Sequence, residues 1–306
     1  MTQLKINIPD SFWKEEVRDG YLVSAEMKKV WAVELDLLNE FIRVCNKHNI
    51  RWWVDAGTIL GAARHKGMIP WDDDIDVMLM RDEYDRLCSI ASQEFSAPYF
   101  FQTSKTDTCS LTGHAQLRKS DTTGMVTVEK DLRIPYNQGI FIDIFPIDNI
   151  SSDKELLRDQ TDRILQYKVQ AYTWVLWGHA RPVNKIKYFK YRLKFFLTSA
   201  GLIFRKENYP NSAELFDQEV RKYNGAQTEY IAKLVMPPLK PRRIWKREWF
   251  DETVYLPFEW MQVPVPKGYI ELLDTFYGDW HKFVVGTATH GGVIFDTEKS
   301  YTEYIK

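Results

Sequence analysis

A chain of 306 residues with 44% hydrophobic and 27% charged residues, 13 Pro and 15 Gly, has enough apolar chain for a packed core. That excludes a staple-dependent miniprotein and a long disordered tract. Lysine and arginine number 41 against 42 aspartates and glutamates, a formal charge of −1, so there is no bulk cationic field and no nucleic-acid partner is expected.

The three cysteines, Cys45, Cys88 and Cys109, form no CxxC pair and are odd in number, which argues against a disulfide framework and fits a reducing compartment. Acids stand near the N-terminus where a signal peptide has an apolar run, and no stretch reaches the roughly 18 apolar residues of a spanning helix. The expected location is cytoplasmic, with contact at the inner membrane face left open. Aromatics make up 14% of the chain, including 11 Trp, which suits surfaces that touch sugars, bases or lipid headgroups.

Ser24 is placed to cap a helix whose Met27, Trp31, Leu35, Leu38, Ile42 and Cys45 recur every three or four positions, so that one face packs. Residues 50–56, IRWWVDA, predict a short strand, Gly57 breaks it, and residues 58–65 make about two helical turns. A buried strand follows at 75–80, then a helix over 82–95 with Tyr84, Leu87, Ala91 and Phe95 inward. Further strands are expected at 99–103, 114–118 and 139–145, with Asp148 after Pro146 as a helix-preceding cap. From residue 151 the pattern turns helical, over 152–178, 184–204 and 212–223. After three prolines the chain returns to short runs near Val254 and Met261, a turn-rich VPVPKG at 263–268 and a helix to Tyr277.

The chemistry concentrates in residues 55–80, DAGTILGAARHKGMIPWDDDIDVMLM, where Asp72, Asp73, Asp74 and Asp76 crowd the start of an apolar strand. Carboxylates this close repel, so solvent, a basic partner or a divalent cation must offset them. Side chains two apart on a strand point the same way, which lets Asp74 and Asp76 share a metal site while Ile75 and Val77 face the core. Hard oxygen ligands favour Mg²⁺ or Mn²⁺. Upstream, Gly57 and Thr58 sit at a strand-to-helix turn whose free N–H groups would suit phosphate. The segment is neither a Walker loop nor GxGxxG. In GIFIDIFPID, residues 139–148, Asp143 interrupts an apolar run; it is either a third carboxylate beside the pair or a strand-end residue held by backbone N–H groups.

These segments, GTILGAARHKGMIPWDDDIDVMLM, FIDIFPID and VPVPKGYIELLDTFYGDW, resemble the three signature blocks of the LicD family of phosphotransferases, which also contains the fukutin-related enzymes. The resemblance spans residues 53–280 and implies an α/β, nucleotidyltransferase-like fold, a mixed sheet flanked by helices with a largely helical additional region. It implies a catalytic core over 1–150, a helical acceptor- or membrane-proximal region over 151–236, and a part returning to the core over 237–306. The implied activity is transfer of a phospho-alcohol, phosphocholine foremost, from a CDP-activated donor such as CDP-choline to a hydroxyl of a lipid-linked glycan, with release of CMP. By the resemblance, Asp74, Asp76 and Asp143 hold the cation and carry catalysis, and Gly57 and Thr58 contact phosphate.

Around them, Asp72, Asp73, Arg64, His65 and Lys66 are candidate donor contacts, the basic three being equally explained by a helix C-terminus. Trp71 either stacks on a base or packs under the acidic turn. Arg118 and Lys119 either meet phosphate or make an exposed salt bridge. Asp279, in YGDW, either fixes the donor alcohol or caps a turn. His281 and His290 lack zinc-ligand spacing with cysteine. Residues 181–206 hold eight Lys or Arg and no acid, interleaved with Tyr and Phe; they suit an anionic membrane surface, steering of a phosphorylated acceptor, or a helix packed with its cations outward. Rival functions are a nucleotidyltransferase acting on NTP and a non-catalytic glycan- or Ca²⁺-binding module; against the latter, DDDID lacks EF-hand spacing.

Overall fold

The computed structural model describes residues 2–203, 211–286 and 292–305. His290 and the last residues of the basic stretch, 204–206, lie outside that set.

Chain order begins with a small hairpin, β1 (Glu16–Arg18) and β2 (Tyr21–Val23), then α1 (Ala25–Lys47), β3 (Trp53–Val54), α2 (Ala56–Leu60) and β4 (Asp76–Met80). Next come α3 (Arg81–Glu94), β5 (Tyr99–Gln102), β6 (Ala115–Lys119), β7 (Thr123–Val126), α4 (Thr127–Leu132) and β8 (Ile140–Asn149). Three helices follow, α5 (Lys154–Gly178), α6 (Lys185–Ile203) and α7 (Ser212–Val220), then β9 (Tyr230–Ala232) and β10 (Ile244–Lys246). The hairpin β11 (Thr253–Phe258) and β12 (Met261–Pro266), α8 (Tyr269–Tyr277) and β13 (Val293–Asp296) complete the described elements.

The result is an α/β fold around a seven-stranded mixed sheet with helices against it, as the resemblance implies. The long strand β8 is its axis. One edge of β8 pairs in parallel with β4, and β4 pairs antiparallel with β3. The other edge is shared, β6 covering 140–144 and β9 covering 148–149. This sharing explains why β8 runs through Pro146 instead of stopping at 145: proline has no N–H to donate, and Pro146 falls in the gap between β6 and β9. Asp148 is accordingly no helix cap. It lies in β8, fully buried, where Arg81 grips it bidentately at 2.6 Å on each oxygen and Asn224 donates at 2.7 Å. The turn expected at 263–268 is mostly β12, its Pro264 and Pro266 tolerated in a two-stranded ribbon.

Ser24 caps α1 as expected, its Oγ accepting from the Met27 N–H at 3.1 Å. The helix is more than an amphipathic face, however. It is enclosed between the sheet and the chain's first residues, so Lys28, Glu34, Asp36 and Glu40 are buried with its apolar side chains. Asp36 is satisfied by Lys119 at 2.9 Å and by the Tyr99 hydroxyl at 2.7 Å. Lys119 is thus neither a phosphate contact nor an exposed salt bridge but one half of a buried pair. Ile75 and Val77 face the core, as do Tyr84, Leu87, Ala91 and Phe95 around α3.

Candidate active site

The acidic segment is positioned by three stitches. Asp55 extends the β3–β4 pairing by donating its N–H to the Asp76 carbonyl at 2.9 Å. Thr58 Oγ1 accepts from the Asp76 N–H at 2.9 Å, tying α2 to the first residue of β4. Trp31, from α1, donates its indole N–H to the Asp72 carbonyl at 3.0 Å and anchors the loop from beneath.

Two groups of carboxylates result. In the loop, Asp72, Asp73 and Asp74 each offer an oxygen within 4.8 Å of the others. In the sheet, Asp76 of β4 and Asp143 of β8 are register partners on adjacent parallel strands, so their side chains share one face about 5 Å apart. Gln116 of β6 is Asp143's partner on the other side, which sets Gln116, Asp143 and Asp76 in a row across three strands.

Their environments push the two sheet carboxylates in opposite directions. Burial raises the Asp76 carboxyl well above its ordinary value, and Asp74 and Asp143 push it further the same way. Burial pushes Asp143 up too, but His114, Gln116 and Arg118 outweigh it and hold the carboxyl below the usual range. His114 Nε2 lies 3.0 Å and Gln116 Nε2 2.7 Å from Asp143 Oδ1. Arg118 is buried behind this pair, its guanidinium donating to Gln116, Gln102 and the Gly139 carbonyl. It therefore orients Gln116, which orients Asp143, and is neither an exposed salt-bridge residue nor placed by these bonds on a phosphate.

A further acid reaches the cluster from α1. Glu34 is fully buried, its Oε2 has no hydrogen-bond partner, and burial followed by Asp74, Asp73, Asp72 and Asp76 raises its carboxyl well above the ordinary value. A hard cation suits this all-oxygen donor set, and it would relieve both the crowding and the orphaned oxygen.

The turn at Gly57 differs from the expected phosphate cradle. Asp55, one residue earlier, occupies the start of α2: its carboxylate takes the Ala56 N–H at 2.7 Å and its carbonyl takes those of Thr58 and Ile59. Asp55 is neutralised by Lys233, which is buried on it and stands 4.4 Å from the Phe145 ring centre. Gly57 has a steric reason instead, because a Cβ there would come within 2.7 Å of Asp72 Oδ2. Gly57→Ala should then displace only the Asp72 carboxylate, the mobile end of a side chain. The expected outcome is a melting temperature equal to or slightly above wild type, since alanine favours helix by about 1 kcal/mol, with turnover reduced about tenfold or more by the misplaced carboxylate. Differential scanning calorimetry beside a rate assay checks that split.

The basic residues after α2 serve the late motif. The chain runs on from α2 into a π-turn, Gly61–His65, closed by Lys66 in left-handed conformation with φ 55°. Arg64 donates to His65 Nε2 at 2.9 Å and to the carbonyls of Trp280 and Lys282 at 2.8 and 3.1 Å. Because His65 Nε2 accepts, its Nδ1 carries the proton and donates to Asp19. Arg64 and His65 thus fasten the YGDW segment, and Lys66 is exposed. Trp71 packs edge-on against Tyr21 and His65. Asp279 projects into solvent with three-quarters of its side chain exposed. The late motif reaches the site through Tyr277, whose hydroxyl pKa is raised by burial and then by Asp55, Asp72, Asp76 and Asp74.

Glu34, Asp55, His114, Gln116, Lys233 and Tyr277 are the site residues that sequence reasoning passed over. Their one visible signal is a charged or polar letter inside an apolar run, as in VWAVELDLL for Glu34 and YIAKLV for Lys233.

The chain is 29% identical over 261 residues to the lipopolysaccharide cholinephosphotransferase LicD of Haemophilus influenzae, covering 84% of this chain and 91% of that protein. Over 36 residues it is 44% identical to the human and mouse ribitol 5-phosphate transferase FKRP, which covers 12% of this chain and 7% of theirs. Residues 49–175, which contain all five clustered aspartates, match the model described as LicD/FKTN/FKRP, nucleotidyltransferase domain. Those residues belong to the LicD family of nucleotidyltransferase domains.

Proposed function

We propose that the protein transfers a phospho-alcohol, phosphocholine first among them, from a CDP-activated donor to a hydroxyl of a glycan of the lipopolysaccharide type, releasing CMP. The observation that carries this reading is the register pairing of Asp76 with Asp143 beside the Asp72–Asp74 loop, in a chain similar over most of its length to a cholinephosphotransferase. Asp74, Asp76 and Asp143 would hold Mg²⁺ or Mn²⁺, with Asp72, Asp73 and Glu34 around them. Bound there, the cation supplies charge neutralisation of the phosphate oxygens.

In the transfer, the acceptor oxygen forms a bond to the phosphorus that carries the alcohol. The bond from that phosphorus to the bridging oxygen breaks, and CMP leaves with the electron pair. Asp143, kept anionic by His114 and Gln116, would take the hydroxyl proton. Incubation with CDP-choline, CDP-ethanolamine, CDP-ribitol and CDP-glycerol plus a lipopolysaccharide acceptor, followed by mass spectrometry, tests the reading. CMP and a modified glycan from CDP-choline support it. Pyrophosphate release from an NTP, with no transfer from any CDP donor, sinks it.

No described helix is long and apolar enough to cross a membrane. On α6, however, Ile186, Phe189, Leu193 and Leu197 are exposed in a stripe with Lys190 and Lys194 also exposed, which supports peripheral contact of a cytoplasmic enzyme with an anionic lipid surface carrying its acceptor. Replacing Lys190 and Lys194 with Gln should weaken sedimentation with phosphatidylglycerol vesicles about thirtyfold, at about 1 kcal/mol per charge, and the difference should vanish at high salt. Sedimentation unchanged at low salt would remove the membrane contact.

A further inference from the structure

His114, which holds Asp143, also lines a cavity of about 340 Å³ between α5 and the segment leading into β10. That volume falls in the range of about 300–1,000 Å³ usual for small-molecule sites. Three cations line it, Lys168, Lys240 and Arg243, and no carboxylate does. Lys168 is fixed in the wall, giving two of its three N–H donors to the Thr112 and Val235 carbonyls at 2.8 and 2.7 Å. Burial and then the neighbouring Arg243 charge push its ammonium down to about 8, the direction that an anion bound beside it would reverse.

The rest of the lining bears on the ligand. The His114 side chain is nine-tenths buried and its Nδ1 has no hydrogen-bond partner, although Nε2 is bound to Asp143. Beside the cations, Met236, Pro237 and Pro238 add apolar lining. Cations and apolar surface in one cavity match a ligand with an anionic phosphate and an apolar ring face.

We propose that this cavity binds the nucleotide portion of the donor, a nucleoside monophosphate, with its phosphate toward Lys168, Lys240 and Arg243. The assignment rests on the transferase reading above and adds a specific place for the leaving nucleotide, one residue removed from Asp143. A phosphorylated sugar of the acceptor shares the phosphate chemistry and is the competing source.

Isothermal titration of the full-length protein with CMP, cytidine and glucose 6-phosphate in Mg²⁺ tests it, comparing wild type with Lys240→Gln and Arg243→Gln, singly and together. Arg243 also donates to the Met236 carbonyl at 2.9 Å, so Arg243→Lys and a melting curve control for folding. The expected result is CMP binding that weakens at least tenfold in the double variant at unchanged melting temperature, with cytidine weak throughout, and a donor KM raised in parallel. CMP affinity and donor KM unchanged while transfer persists would overturn the cavity assignment and leave the transferase reading standing. Glucose 6-phosphate binding that is lost in the variants while CMP binding is kept would overturn the donor assignment in favour of the acceptor. CMP binding lost in the variants of a protein that shows no transfer would support the cavity and refute the transferase reading.

Discussion

Asp76→Asn and Asp143→Asn should each lower transfer at saturating Mg²⁺ by about 10³-fold or more, equivalent to about 4 kcal/mol of transition-state stabilisation, while the protein stays folded. Stability should move in the opposite sense to activity for Asp76, whose ionised form is penalised by burial and by its neighbours. The same physics gives the metal-free protein a pH dependence. Asp76 and Glu34 have raised carboxyl values in the fold, so they bind protons more tightly folded than unfolded. Stability from that difference is fully present below about pH 4, the unfolded carboxylate range, and is lost as pH rises toward the folded values. Asp143, shifted downward, contributes stability above its unfolded value and loses it only in acid. Melting temperature in EDTA should therefore fall as pH rises above about 4, and Mg²⁺ should restore most at the alkaline end. Asp76→Asn should flatten the profile. A flat wild-type profile, or near-normal turnover in either variant, would remove the carboxylate pair from the cation site.

The second large effect belongs to Asp55 and Lys233, buried on each other 178 residues apart. Removing one partner strands the other charge in the interior, at a cost of about 3–5 kcal/mol. Lys233→Met should lower the unfolding free energy measured in urea by that amount, and Asp55→Asn nearly as much, because asparagine leaves Lys233 without its counter-charge while its Oδ1 can still accept the Ala56 N–H. The double variant should recover part of the loss, since two neutral side chains leave no stranded charge. Strict additivity of the two single losses would show that the pair does not act as a unit.

Much of the carboxylate row was legible because its signal is local. Acids abutting an apolar run are expensive, and Asp74, Asp76 and Asp143 each stand at such a junction. The capped start of α1 and the strand at β4 follow equally from short-range patterning. What escaped was the identity of partners. Arg64 looks like a helix C-terminus, yet its donors go to carbonyls 216 and 218 residues further on. Arg118 and Lys119 read as surface cations, because nothing within a few residues shows that a strand side chain will be enclosed and paired with Gln116 or Asp36. Asp148 reads as a cap because proline usually ends a strand, and only the division of β8's edge between β6 and β9 reveals otherwise.

That division of one strand's edge bears on how small the protein can be made. Residues 49–175 carry the family's pattern, but β8 is completed by β9 at 230–232, and the sheet's inner face is closed by α1 at 25–47. A single apolar cluster joins Ile8 and Phe12 to Leu272 and Leu273 through Trp31, Ile144 and Ile231. A fragment limited to 49–175 would lose Lys233 from Asp55 and leave bare the sheet face against which Leu35 and Leu38 belong. It should be expressed as aggregate, whereas a fragment that keeps α1 and β9 together with these residues retains both the helix on the sheet and the partner of Asp55.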